Sequence, residues 1–438
     1  MHKVIFGLGE TGLSCARYFE KNGIKYSVVD DNPVPERLGS LREINSDVLF
    51  SKVNRELILG ATEIVVSPGV PLSSPLLVEA IDHGVAMTGD VAMFGELANA
   101  PIVAITGSNG KSTVTALVGH LASTQRQGVF VGGNIGKPCL DLLSDEATLY
   151  VVEVSSFQLE LATQLPAIAS VVLNLTPDHL DRYESLDSYY GVKSNVYRNC
   201  CHAIVNREIN TEFPIPSSSD IRSFGAEAPS SPSDFGIIEA DGKKFIGRGD
   251  ERLIAVEVLP VDGMHNVLNC MAALALGSAI GLNMEAMLSD LKGFQGLEHR
   301  CELVGKVGGV SVYNDSKATN VASCEAAIRN FGKERNIVLI LGGISKNTDF
   351  SPLKVVARDF VKQAIVFGSV KEEIIDCLDG VCPVESCATL EEVVTFAMGQ
   401  ATYGDVVLFS PACASFDMFD SYRARGTAFK SLIAGFIS

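Results

Sequence analysis

The sequence predicts an α/β protein of three domains. These are a Rossmann-like N-terminal domain over residues 1–89, a central P-loop ATPase-like α/β domain with appended antiparallel strands over 90–296, and a C-terminal Rossmann-like α/β domain over 297–438. Short β-rich runs alternate with helical segments in three successive series. In the first two series a glycine-rich turn stands between a strand and a helix. A tract rich in Ser, Pro and Asp, residues 214–232, breaks the second series and is followed by short alternating strands.

In the first series, Val4-Ile5-Phe6, Ser27-Val28-Val29 and Glu63-Ile64-Val65-Val66 read as strands of a small parallel unit. Gly7-Leu8-Gly9-Glu10-Thr11-Gly12 follows the first of them, and Asp30 ends the second, which meets the dinucleotide-fold fingerprint. Alone this suggests a dehydrogenase or a purely structural turn. The glycines and helix end accept any diphosphate, however, and a second phosphate cradle downstream favours a nucleotide-linked substrate here.

That cradle opens the second series. Residues 101–106 run as an apolar strand into Gly107-Ser108-Asn109-Gly110-Lys111-Ser112-Thr113, and Leu117, Val118 and Leu121 continue at helical spacing. Backbone N–H groups and the helix N-terminus would meet an anion, Lys111 would reach the outer phosphates, and Ser112 or Thr113 could hold Mg²⁺. ATP is the expected ligand, although Ile105 stands where the usual motif has its first glycine. The next strand ends at Glu153, where a Mg²⁺ ligand or water-orienting group belongs, and Ser155-Ser156-Phe157-Gln158 adds polar groups to the same rim.

Residues 170–175 form another expected strand, and Asn174-Leu175-Thr176-Pro177-Asp178-His179-Leu180-Asp181-Arg182 carries polar groups at its end. His179 suits a metal site there. Lys193 reads by default as an exposed helix lysine. On the helix expected over 265–280, Asn266 and Asn269 share one face, suited either to a base or ribose or to helix capping.

The third series has expected strands at 310–313, 337–341, 364–367 and 406–409. Three strand ends carry polar segments: Asn314-Asp315-Ser316-Lys317-Ala318-Thr319-Asn320, Gly342-Gly343-Ile344-Ser345-Lys346, and Ser410-Pro411-Ala412-Cys413-Ala414-Ser415-Phe416-Asp417. His299-Arg300 falls at the inferred hinge into this domain, where a guanidinium could clamp a phosphate on closure.

Over 438 residues the formal charge is −17, which argues against nucleic acid or an anionic membrane surface as partner. Eleven scattered cysteines without Cys-x-x-Cys spacing point to reduced thiols rather than a zinc site. No apolar run reaches membrane-spanning length and the chain enters its first strand directly, so a soluble cytoplasmic protein is expected.

With these segments in place, the chain resembles the Mur ligases essentially end to end. The resemblance lies in residues 106–113, Gly132-Gly133-Asn134-Ile135-Gly136, 153–159, 179–183, His265-Asn266 with Asn269, His299-Arg300, 314–320 and 410–417. Asp315-Ser316-Lys317-Ala318-Thr319-Asn320 resembles the pattern of the D-glutamate-adding branch, and no Asp-Asn-Pro-Arg motif of the diaminopimelate type is present. The resemblance implies that ATP phosphorylates the carboxylate of UDP-N-acetylmuramoyl-L-alanine and that D-glutamate attacks the acyl phosphate, in peptidoglycan precursor synthesis. It implies a monomer.

It further implies catalytic roles for Lys111, Glu153, His179 and Lys193. ATP would be met by Gly107, Asn109, Gly110, Lys111, Ser112, Thr113, Asn266, Asn269, Arg300 and Asp315. The UDP substrate would meet Gly9, Thr11, Gly12, Asp30, Ser67, Asn134 and His179, and D-glutamate would meet Lys317, Thr319, Lys346, Ser415, Phe416 and Tyr422. Two Mg²⁺ ions would be held by Ser112 or Thr113 with Glu153 and by His179 with Lys193, the lysine as a carbamate.

The chain departs from the family at Asp30-Asp31-Asn32, which lacks an arginine sometimes found there, at Glu10, at Ile344-Ser345 before Lys346, and at Tyr422 in place of Phe. Rival readings are a Mur-type or folylpolyglutamate-type ligase with another acceptor, a nicotinamide oxidoreductase resting on the first turn, and a non-catalytic nucleotide sensor.

Overall fold

A computed structural model describes residues 2–177, 182–259, 263–294, 296, 298–344 and 348–437. The chain divides into two compact units, Met1–Phe294 and Gln295–Ser438. The first unit contains two sheets. One comprises β1 (Lys3–Phe6), β2 (Tyr26–Asp30), β3 (Leu49–Lys52), β4 (Glu63–Val66) and β5 (Ala86–Thr88), all parallel, in the order β3-β2-β1-β4-β5. The order reverses at β1, so the glycine-rich turn that follows β1 lies where such sheets bind ligands.

The second sheet has nine strands: β6 (Ile102–Thr106), β7 (Val129–Gly133), β8 (Leu149–Glu153), β9 (Ala167–Val172), β10 (Cys200–Asn206), β11 (Asp220–Phe224), β12 (Phe235–Ala240), β13 (Lys243–Arg248) and β14 (Glu251–Ala255). Their order is β14-β13-β12-β11-β10-β9-β6-β8-β7, which puts β6 at the switch between β9 and β8. Only the β12–β13 and β13–β14 pairs are antiparallel. The parallel sheet therefore runs on into the tract at 214–232, because β10 and β11 extend it on either side of the loop at 207–219. β9 also stops at Val172 rather than running to 175: the N–H of Ser108 bonds Asn174 O at 3.0 Å, so this backbone serves the turn after β6 instead of the ladder.

One hydrophobic cluster runs through both sheets, from Ile5, Phe19 and Val28 to Phe94, Tyr150 and Val152. Phe94 meets Tyr150 edge-on with centroids 5.0 Å apart. Arg17, on the helix Glu10–Lys21, forks onto the Asp141 carboxylate, with Nε 3.0 Å from Oδ1.

The second unit is a single six-stranded sheet of β15 (Glu302–Val307), β16 (Val310–Asn314), β17 (Ile337–Gly342), β18 (Val361–Phe367), β19 (Val384–Ser386) and β20 (Val406–Ala412), in the order β15-β16-β20-β17-β18-β19. The edge strand β15 pairs antiparallel with β16, and the other pairs are parallel. Since β16, β20 and β17 are neighbours, the three polar strand ends read from the sequence lie side by side. All eleven cysteines are unbridged, and among the described residues no helix is long and apolar enough to cross a membrane.

Candidate active site

The turn after β6 is held by its neighbours before any ligand is considered. Asn109 N–H donates to Asn174 Oδ1 at 2.8 Å, and the Ser108 hydroxyl donates to Thr176 O at 2.9 Å and lies 3.2 Å from the Tyr189 hydroxyl. Gly110 has φ +80°, and a Cβ there would fall 2.5 Å from Asn269 Oδ1, so both conformation and close approach require glycine. Asn269 is buried and faces the turn, and Asn266 accepts from its amide at 3.4 Å. The N-cap of the helix Met264–Ala279 is Gly263, so both asparagines lie inside the helix.

Lys111 begins the helix Lys111–Ser123, and its Nζ donates to the carbonyls of Gly107 and Ser108 at 2.9 Å each. Lys193 is a correction to the default reading. It is 2% exposed, because the helix Leu186–Ser194 turns it inward, and its Nζ donates to Gly107 O at 2.9 Å. The Ser112 hydroxyl donates to Glu153 Oε2, and the exposed Asn134 donates to Oε1 at 2.7 Å. A buried carboxylate and a hydroxyl at the mouth of a phosphate turn make a hard-oxygen donor set that fits Mg²⁺. Thr113, half-buried, follows on the same helix. His179 lies outside the described residues.

At the first turn, Gly12 packs so closely that a Cβ would stand 2.2 Å from Gly7 O. Ser67 donates its hydroxyl to that same carbonyl at 2.7 Å. Asp30 Oδ2 accepts from Leu8 N–H at 2.7 Å and Oδ1 from Asn32 N–H at 2.9 Å, so its carboxylate shapes the turn from below. Gly9 is open, Thr11 half-buried, and Glu10 is met by Arg37 at 2.6 Å, a cation the sequence reading had not offered.

In the second unit, Asp315 is buried at the end of β16, with Oδ2 accepting from Ser410 at 2.8 Å and Oδ1 from Cys301 N–H at 3.2 Å. Burial pushes its carboxyl up to about 7 against the opposing pull of these donors. Arg300 is half-buried between His299 and Cys301, whose φ values of +64° and +45° are left-handed. Lys317 Nζ lies 4.4 Å from the Tyr422 ring centroid. Thr319 and Phe416 are exposed and Ser415 is buried. Lys346, with Ser345 before it, lies outside the described residues.

Arg425 is the residue sequence reasoning missed here. It is 0% exposed, and its guanidinium donates to Ser316 Oγ and O, Cys413 O and Gly342 O at 2.8–3.4 Å, tying together the ends of β16, β20 and β17. Burial lowers it to about 10. An arginine on a helix 83 residues from one of its carbonyl partners leaves no local signal.

A parallel sheet with a helix-opening phosphate turn, a hydroxyl–carboxylate pair beside it, and a further α/β unit with cations at its strand ends define a nucleoside-triphosphate-using protein of three sheets. The family profiles "Mur ligase MurD-like, N-terminal domain", "Mur ligase middle domain" and "Mur ligase, glutamate ligase domain" match residues 1–89, 105–277 and 299–413. A protein of Hahella chejuensis named UDP-N-acetylmuramoylalanine–D-glutamate ligase is 44% identical over 434 residues, covering 98% of this chain and 97% of that protein. One of Pseudomonas aeruginosa with the same name is 42% identical over 436 residues, with the same coverage. The solved UDP-N-acetylmuramate-alanine ligase MurC of Thermotoga maritima shares the fold with a TM-score of 0.64 at 19% identity, over 99% of each chain. MurF ligase of the same organism, solved with ADP, shares it at a TM-score of 0.59 and 16% identity, over 95% of this chain and 90% of that one. The chain belongs to the Mur ligase family.

Proposed function

We propose that this chain is an ATP-dependent ligase that joins D-glutamate to UDP-N-acetylmuramoyl-L-alanine, giving ADP and phosphate, in peptidoglycan precursor synthesis. The observation that carries the reading is full-length identity of 42–44% to ligases so named, on a chain whose phosphate turn is intact. The domains at 1–89, 90–296 and 297–438 would take the UDP substrate, ATP and the amino acid respectively.

In this reading Gly107, Asn109, Gly110, Lys111, Ser112 and Thr113 hold the triphosphate, with Asn266 and Asn269 beside it and Arg300 and Asp315 contributing from the second unit. Gly9, Thr11, Gly12, Asp30, Ser67, Asn134 and His179 hold the UDP substrate. Its carboxylate oxygen attacks the γ-phosphorus, and the bond to ADP breaks. The ammonium of Lys111 offsets charge building on the transferred group. The D-glutamate amine, held by Lys317, Thr319, Lys346, Ser415, Phe416 and Tyr422, then attacks the acyl carbon. The amine proton leaves and the tetrahedral adduct expels phosphate.

Mg²⁺, when bound by Ser112 or Thr113 with Glu153 and by His179 with carbamylated Lys193, would neutralise phosphate charge. Burial of Lys193 against the phosphate turn, with Nζ 2.9 Å from Gly107 O, supports a role at this site rather than on the surface. The enzyme would act as a monomer in the cytoplasm.

The test is phosphate release from ATP and Mg²⁺ with UDP-N-acetylmuramoyl-L-alanine, comparing D-glutamate with L-glutamate, L-lysine and no amino acid. Release that needs both the UDP substrate and D-glutamate supports the proposal. Release with a different amino acid moves the acceptor, and ATP binding without release returns the chain to a sensor.

A further inference from the structure

Arg182 stands three residues after His179 and has no role in the mechanism above. Its side chain and that of Glu160 are each 11% exposed, and they form a two-point pair, Nε to Oε1 at 3.1 Å and Nη2 to Oε2 at 2.7 Å. A desolvated pair of this kind is sustained only by good geometry and further hydrogen bonds. Here the further bonds go to the loop after β4: Nη1 donates to Pro68 O at 2.7 Å and Nη2 to Val70 O at 3.3 Å. The guanidinium also lies 4.1 Å over the Phe157 ring.

Both ends of this contact lead to the nucleotide turns. On one side, Val70 N–H bonds Ser67 O at 2.9 Å, the Ser67 hydroxyl holds Gly7 O, and a Cβ on Gly7 would meet Ser67 Cβ at 2.9 Å and a Val70 methyl at 3.1 Å. The loop Arg182 grips is thus the wall of the first glycine-rich turn. On the other side, Phe157 stacks on Tyr183 at 6.1 Å, Tyr183 meets Tyr189 at 5.3 Å, and the Tyr189 hydroxyl reaches Ser108 in the phosphate turn.

We infer that Arg182 is a positioning residue for the UDP-linked substrate: through Pro68 and Val70 it fixes the wall of the first turn at a set distance from the phosphate turn. The inference rests on the reading that the UDP substrate occupies the first turn. Lysine cannot replace it, because one ammonium cannot face Glu160 at two points and also serve two carbonyls.

The test measures KM for UDP-N-acetylmuramoyl-L-alanine, ATP and D-glutamate, with kcat, in Arg182→Lys, Glu160→Gln and Gly12→Ala. For Arg182→Lys we expect the KM of the UDP substrate to rise about tenfold, with the other two KM values and kcat within about twofold. Added guanidinium should restore that KM in Arg182→Ala. Glu160→Gln should shift the same KM in the same direction, and it stands in should Arg182→Lys fail to fold. If the three KM values move together, or that of the UDP substrate stays put while Gly12→Ala raises it, Arg182 has no positioning role. If Gly12→Ala also leaves that KM unchanged, the substrate does not occupy the first turn and the underlying reading fails.

Discussion

Lys111 and Lys193 converge on one acceptor: both ammonium groups donate to Gly107 O at 2.9 Å. They come from different helices and 82 residues apart in sequence, since 193 − 111 = 82. The shared carbonyl belongs to the phosphate turn, so both side chains stand where a bound nucleotide's phosphates would lie. ADP should therefore raise the melting temperature of the chain, and Lys111→Ala should abolish that rise. The same variant should lose about 10²–10³ in kcat for ATP-dependent phosphate release.

Lys193→Ala should be inactive, because alanine offers neither the contact to Gly107 O nor an amine to carbamylate. Mass spectrometry of the native protein under bicarbonate would look for the added carboxylate on Lys193. Full activity in Lys193→Ala would overturn its assignment as a metal-binding carbamate.

Ser112→Ala removes the hydroxyl that bonds Glu153 Oε2. The Mg²⁺ concentration for half-maximal activity should rise roughly tenfold or more, while Thr113→Ala should do less if Ser112 is the ligand. A Mg²⁺ titration of phosphate release separates the two.

Asp315 should make the second unit lose stability as pH rises. Its carboxyl titrates near 7 in the folded chain because of burial, against an ordinary 3.8. Between those values the folded state binds the extra proton, so unfolding becomes easier as pH climbs, by at most about 1.4 kcal/mol per pH unit. Below pH 4 the penalty is absent. Thermal melts of the wild type and Asp315→Asn from pH 4 to 8 should show a slope that the variant flattens.

Arg425→Leu should destabilise the second unit severely. It leaves the carbonyls of Ser316 and Cys413 without the donors they have now, each costing about 1–3 kcal/mol when buried. Denaturant unfolding would show it, and unchanged unfolding would mean that water replaces the guanidinium.

Legibility in the sequence followed contiguity. The two glycine-rich turns and the three polar strand ends were readable because strand, turn and helix follow one another within a dozen residues and each residue type has a local reason. Lys193 misread as a surface lysine because its burial depends on Gly107, 86 residues away. Arg37 and Arg425 gave no signal for the same reason, and Arg182, though it stands in a segment read as polar, showed no role there: each acts through carbonyls or carboxylates brought in by the fold. The extension of the parallel sheet by β10 and β11 was hidden by the polar tract around them, whose composition resembles that of a hairpin region.

The hydrophobic cluster that runs from Ile5 to Tyr150, pinned at its edge by Arg17 and Asp141, has a consequence for how such enzymes can be diversified. Its residues come from both of the first two sheets, so neither sheet can be exchanged without exposing part of a shared interior. The unit that begins at Gln295 carries its own interior. Packed around its own interior, it is the part that can be exchanged between relatives, whereas the first two sheets must be inherited together.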